Sequence, residues 1–85
     1  SIDLRAPDLS SIYVSFKLKH QQKLHLFLFN ERGRKIKKIF KCKSFDSGKH
    51  ILTYDVQKLD LRPGQYFYRL QHKRKTLKER SFTIN

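Results

Sequence analysis

Apolar and polar positions alternate from Ile12: Ile12, Val14, Phe16 and Leu18 fall on one side of an extended chain, and Tyr13, Ser15, Lys17 and Lys19 on the other. A period of two predicts a half-buried strand. After the polar connection His20-Gln21-Gln22, Leu24, Leu26 and Leu28 alternate with His25, Phe27 and Phe29, so both faces are largely apolar. Such a strand is central in its sheet or has its second face partly covered. Asn30-Glu31-Arg32-Gly33 predicts a turn in which Gly33 takes a positive φ. The segment 34–43 sets Ile36, Ile39 and Phe40 among basic residues. Its spacing fits a short helix or a bulged edge strand, and the flanking strands favour the second.

A further turn falls at Phe45-Asp46-Ser47-Gly48, followed by a strand in which His50, Leu52 and Tyr54 alternate with Ile51 and Thr53. Asp55-Val56-Gln57-Lys58-Leu59 reads as a short connection into Leu61-Arg62-Pro63-Gly64-Gln65-Tyr66. Pro63 presets the φ of the second position of a tight turn, and Gly64 supplies the positive φ that the third position of a type II turn requires. Tyr66 then stands where the tyrosine of a sandwich corner bonds back to upstream backbone. The following run, Tyr66 to Leu70, is expected to be the most securely buried strand. Residues 71–76 predict a charged hairpin loop, and Leu77 to Ile84 a last strand with Phe82 and Ile84 on one face.

Seven short strands result if residues 1–11 hold a short edge strand rather than a linker, with turn signals every 8–12 residues as in sandwiches. The expected fold is all-β, a seven-stranded antiparallel immunoglobulin-like β-sandwich over residues 12–85, preceded by that short segment. A chain of 85 residues makes one domain. No apolar run is long enough to span a bilayer as a helix. Trp is absent and Cys42 is alone, so the Cys–Trp–Cys core of antibody domains is missing and no internal disulfide forms.

Three blocks, in order, carry a resemblance. The first runs from Val14-Ser15-Phe16-Lys17-Leu18 through Leu24 to Gly33. The second is Ser47 to Asp55, which includes Gly48, and the third is Leu61 to Leu70. Together they resemble the C-terminal sorting domains of the type IX secretion system of Bacteroidetes, and are similar to the immunoglobulin-like domain of the flagellar hook-capping protein. The resemblance implies a seven-stranded sandwich without catalytic residues. It also implies a module recognised by an outer-membrane translocon or attachment proteins, on a route from periplasm to outer membrane or cell surface. Two departures stand out. Ala6-Pro7-Asp8-Leu9 keeps only the first proline of the family's Pro-Asn-Pro opening, and the ending Lys78 to Asn85 is only similar to the lysine-rich last strand.

Charge changes the picture most. The net charge is +13, which favours polyanionic partners and says nothing about fold. Arg34, Lys35, Lys37, Lys38 and Lys41 lie in one acid-free stretch, and Lys73, Arg74, Lys75 and Lys78 in a second cluster. If the two segments are neighbours, they make one basic face. Such a face would contact an acidic protein, the phosphates of lipopolysaccharide or, less favourably, nucleic acid, with steep salt dependence in the last case. Edge lysines also prevent strand-to-strand aggregation, which is the plainest account of them.

Other chemistry has thinner support. The spacings of His20, His25, His50, His72 and Cys42 match no established ligand pattern, so no metal or other cofactor is expected. Asp46, Asp55 and Asp60 fall at turns or connections, where aspartates cap backbone. Cys42 lacks a recognisable catalytic partner and reads as an inert thiol. The expected role is non-enzymatic: sorting or docking, with a small basic polyanion-binding module or a hook-cap-like assembly part as alternatives.

Overall fold

The computed structural model describes residues 10–85, and the expected N-terminal linker or strand lies almost wholly outside them. Six antiparallel strands and one helical turn follow: β1 (Ser11–Leu18), β2 (Gln22–Asn30), β3 (Lys35–Phe45), β4 (Gly48–Asp55), α1 (Val56–Leu59), β5 (Gly64–His72) and β6 (Lys75–Ile84). They form two sheets, β1-β4 and β3-β2-β5-β6. The two sheets share one core. Ile12, Val14 and Leu18 of β1 cluster with Leu24, Leu26 and Leu28 of β2 and with Tyr68 and Leu70 of β5. The fold is all-β and sandwich-like.

β2 is the most buried strand, which corrects the expectation for β5. Leu24, Leu26 and Leu28 are buried on the inner face, and Phe27 and Phe29 on the outer. In β5 only Tyr68 and Leu70 are fully buried, while Tyr66, Phe67 and Arg69 are partly exposed. The physical reason is position: β2 pairs with β3 on one side and β5 on the other, and its outward residues are rings that neighbouring side chains cover.

Turn chemistry is local. The Asn30 carboxamide oxygen accepts from the backbone N–H groups of Arg32 and Arg34 at 2.9 and 3.0 Å, and the Asn30 carbonyl accepts from Gly33 at 2.9 Å. Gly33, at φ 79°, completes the three-residue hairpin loop as expected. The β5–β6 loop is shorter than the predicted one, with only Lys73 and Arg74 between His72 and its partner Lys75. Lys73 there has φ 54°, at the first central position where two-residue turns favour Gly, Asn or Asp.

α1 replaces part of the predicted connection. The Asp55 carboxylate caps it by accepting from the Gln57 N–H at 2.9 Å, and Asp60 ends it at φ 53°. Val56 and Leu59 anchor the turn in the core. At the corner, the Tyr66 hydroxyl donates to the Arg62 carbonyl at 2.6 Å, as the sequence suggested. The turn itself differs. Gly64 has φ 153° and opens β5, far from the ~80° of a type II third position. Gly48, at φ 113°, opens β4 in a similar way.

Candidate docking surfaces

β3 is a bulged edge strand. Its pairing with β2 shifts register three times, and Cys42 takes φ 55° at one irregularity, with its N–H donated to the His25 Nδ1 at 3.0 Å. A bulge of this kind bends the strand and breaks up an edge that would otherwise pair with another chain. The bend also decides where the lysines go. Lys38 sits opposite Phe27 and Lys35 opposite Phe29, on the outer face, whereas Lys37 sits opposite Leu28. Lys37 is half-buried and donates to the Leu59 carbonyl at 3.0 Å, tying α1 to the sheet. The Lys35 ammonium lies 3.7 Å from the centre of the Phe27 ring.

The two basic clusters do not make the single face expected of them. β3 and β6 are opposite edges of the four-stranded sheet, with β2 and β5 between them. Three strand spacings of about 4.8 Å separate them. Registers show a different grouping. Lys43 pairs with Leu24, and His72, whose ring bonds the Lys23 carbonyl at 3.1 Å, pairs with Lys75. The C-terminal half of β3 and the β5–β6 turn therefore lie at one end of the sheet. Arg34 and Lys35 lie at the other, beside the Asn30 turn.

The shared end is the strongly basic one. Lys73, Arg74 and Lys75 come from the β5–β6 turn, Lys23 and Lys43 from the paired ends of β2 and β3, and Lys17 and Lys49 from a cross-strand pair of β1 and β4. Lys19 adds to them from the β1–β2 connection, and Asp46 is the one described carboxylate at that end. At the opposite end Glu31, Asp55 and Asp60 intersperse with the cations. Sequence inspection missed Lys17, Lys19, Lys23 and Lys49 because they are scattered along the chain; each lies within a few residues of a predicted connection, which was the available signal.

Among the described residues, no hydrogen bond, ion pair or ring contact holds the side chains of Lys38, Lys41, Lys73, Arg74 or Lys75. Lys78 differs. Its ammonium donates to the Ser15 carbonyl at 2.7 Å and to the Ser15 hydroxyl at 3.1 Å, reaching from β6 to β1. It thereby spans a groove of about 810 Å³ whose walls are Ser15 to His20 on one side and Lys75 to Arg80 on the other.

The outer face of the four-stranded sheet is a second basic surface. Phe29 stacks on Phe67, with centroids 4.8 Å apart, and the Arg69 guanidinium lies 4.5 Å from the Phe29 ring centre. Arg69 is held in turn by Glu79 at 2.8 Å. His25, His50 and His72 are spent on backbone groups in separate places: His50 bonds the Asp46 carbonyl at 2.7 Å, far along the chain from the His25–Cys42 contact. Among the described residues no three or more His, Cys, Asp or Glu side chains are placed to hold a metal ion. Nor is any described helix long and apolar enough to cross a membrane. The Cys42 thiol is exposed and unbridged.

Burial pushes the Tyr54 and Tyr68 hydroxyls up from the usual tyrosine value, and at Tyr68 the Arg80 charge pulls weakly the other way. Both rings belong to the core layer, so the shifts report packing and mark no reactive group. Compared with known proteins, the chain matches no family model, no curated protein and no solved structure.

Proposed function

We propose that this domain is a non-catalytic sorting or docking module with an immunoglobulin-like sandwich, of the kind that the type IX secretion C-terminal domains represent. Two features support the immunoglobulin-like topology. A hairpin-linked pair, β2 and β3, shares a sheet with the later hairpin β5-β6, while β1 and β4 form the opposing sheet. In this reading the strands would be C′-C-F-G facing B-E, and the Tyr66-to-Arg62 bond would be the tyrosine bond that such sandwiches carry at the E–F corner.

The observation that carries docking is the cluster of cations at one end of the molecule, of which Lys73, Arg74 and Lys75 have no side-chain partner among the described residues. Folding alone gains nothing from holding like charges together, since mutual repulsion opposes the compact state. An anionic outer-membrane partner, whether a translocon or attachment protein or lipopolysaccharide, would neutralise them. Capture from outer-membrane extract tests this, using the chain and a variant with Lys73, Arg74 and Lys75 reversed to Glu. We expect the native chain to retain a translocon protein or lipopolysaccharide and the variant to lose it. Retention of neither by the native chain sinks the reading. Deleting β6 would be a poor substitute, because β6 pairs with β5 along its whole length and its loss exposes the core.

A second reading, binding of nucleic acid, draws on one observation. Aromatic rings and cations share the outer sheet face at Phe27, Phe29, Phe67, Lys35 and Arg69. Single-strand binders stack bases on such rings. Here Lys35 and Arg69 already cover them, so a base would first have to displace both, and the reading ranks below docking. Salt-sensitive oligonucleotide affinity that falls on Phe67→Ala would promote it.

A further inference from the structure

The groove between β1 and β6 combines two properties that belong to one kind of ligand. Its walls are strand edges. β1 pairs only with β4, and β6 only with β5, among the described residues. The Ser15 carbonyl points into the groove, since it accepts from Lys78 there. In an extended strand the N–H and C=O of one residue point to the same side, and the pattern repeats two residues on. Tyr13, Ser15 and Lys17 therefore present main-chain donors and acceptors away from β4. Unpaired backbone groups of this kind recruit an extended chain by strand addition.

The second property is charge. Lys17 and Lys19 stand on the β1 side of the groove and Lys75 on the β6 side. Glu79, the acidic side chain among the groove's residues, is engaged by Arg69. The Lys78 ammonium takes the place that an incoming backbone N–H would have on the Ser15 carbonyl, and its flexible stem lets it withdraw. A polysaccharide or nucleic acid would use the charge and leave the edge unused. A polypeptide with carboxylates on alternate residues uses both.

We propose that the groove between the edges of β1 and β6 that no described strand covers docks an acidic, extended polypeptide segment, which pairs with the Ser15 edge while its carboxylates meet Lys17, Lys19 and Lys75. The proposal rests on the docking reading above and gives that partner a chemistry. It assigns the role of Lys78 as well: a gatekeeper of the edge, released when the segment enters.

The test titrates the whole chain with a synthetic peptide of alternating Glu and Val, about twelve residues long, matching a strand. Companion ligands are the same peptide N-methylated at alternate residues and a single-stranded oligonucleotide of similar charge. Two double reversals alter net charge equally: Lys19→Glu with Lys75→Glu in the groove, and Lys38→Glu with Lys41→Glu on β3. Binding is expected to weaken by about tenfold or more for the groove pair and by less than about threefold for the β3 pair. N-methylation is expected to abolish most of the affinity. Hydrogen exchange on the unmodified chain provides an arm that no misfolded variant can spoil, with the Ser15 and Lys17 amides slowing when the peptide is bound. Equal losses in the two reversals, undiminished binding of the N-methylated peptide, or unchanged exchange at β1 each overturn the assignment, the second by showing attraction to any polyanion. The docking reading stands or falls separately. Outer-membrane capture that survives the groove reversal keeps docking and rejects the groove. Peptide binding without any outer-membrane capture keeps the groove and rejects the destination.

Discussion

Each sheet turns large apolar side chains away from the shared core, and the two solve the resulting problem differently. On the four-stranded sheet Phe27 and Phe29 face outward yet retain only 8% and 7% exposure. Lys35 lies over the first ring, while Phe67 and Arg69 cover the second. On the two-stranded sheet Tyr13 and Ile51 also face outward, and they keep 64% and 72% exposure. They are diagonal neighbours across the β1–β4 pairing, with Ser15 opposite Ile51 and Thr53 opposite Tyr13. The lesson is about width. A central strand has neighbours on both sides whose long side chains fold over it, and cationic stems cover apolar surface while their heads stay wet. Among the described residues, the β1-β4 sheet has no second neighbour to supply such a cover.

Truncating the sealed ring should expose the difference most sharply. Phe29→Ala is expected to cost about 3 kcal/mol in urea denaturation, in the range of a buried phenylalanine. Tyr13→Ala, by contrast, should stay within about 0.5 kcal/mol of the native protein, as exposed positions do. Similar costs at the two sites would dissolve the comparison.

Removing a cover rather than a ring sharpens it. Arg69→Gln strips the guanidinium from Phe29 and Phe67 and leaves Glu79 without its partner. A loss of about 1 kcal/mol is expected, most of it surviving high salt because the ring contact is less screened than the exposed ion pair. Complete rescue by salt would assign the effect to the ion pair alone. Lys35→Gln should be milder, about 0.5 kcal/mol, since one ammonium over one ring is at the exposed end of such contacts. It should also raise the accessibility of Phe27 to quenchers or solvent probes, which a purely electrostatic role would not.

The smallest effect belongs to the inner side of the sheets. The Tyr54 and Tyr68 hydroxyls are raised in the folded protein, so the folded state holds these protons more tightly than the unfolded chain. Their contribution is complete below the ordinary tyrosine pKa of 10.0 and is lost as pH rises through that value toward the folded one. Urea midpoints measured between neutral pH and strong alkali should therefore fall, and Tyr68→Phe should flatten the decline. A steeper decline in that variant would contradict the assignment.

What could be read from the chain was whatever is written locally. Alternation located β1, β2 and β4; Asn30 and Gly33 marked their hairpin; the spacing from Pro63 to Tyr66 foretold the hydroxyl bond at the corner. Even the bulged character of β3 was visible in its broken spacing of Ile36, Ile39 and Phe40. The errors came from elsewhere. Whether β3 and β6 are neighbours depends on strand order, which side-chain periodicity does not encode, so the basic clusters were joined on a condition that the sheet does not meet. The positive φ values at Cys42 and Lys73 went unseen because neither residue type signals one. α1 was missed although Asp55 stood at its N-cap, since a single turn is too short to show a period. The basic end was invisible for the same reason as the strand order: its members are gathered by pairing and not by sequence.

That gathering has a consequence for motion in solution. Strands of eight to eleven residues span roughly 26–36 Å at about 3.3 Å per residue, and the described charge is partly offset by acids at one end of them and almost wholly positive at the other. Such a body carries a large permanent dipole along its length. Near an anionic surface it feels a torque before it feels contact, over the ~8 Å reach of the field at physiological salt. It arrives end first, with the β5–β6 turn leading and the Asn30 turn trailing.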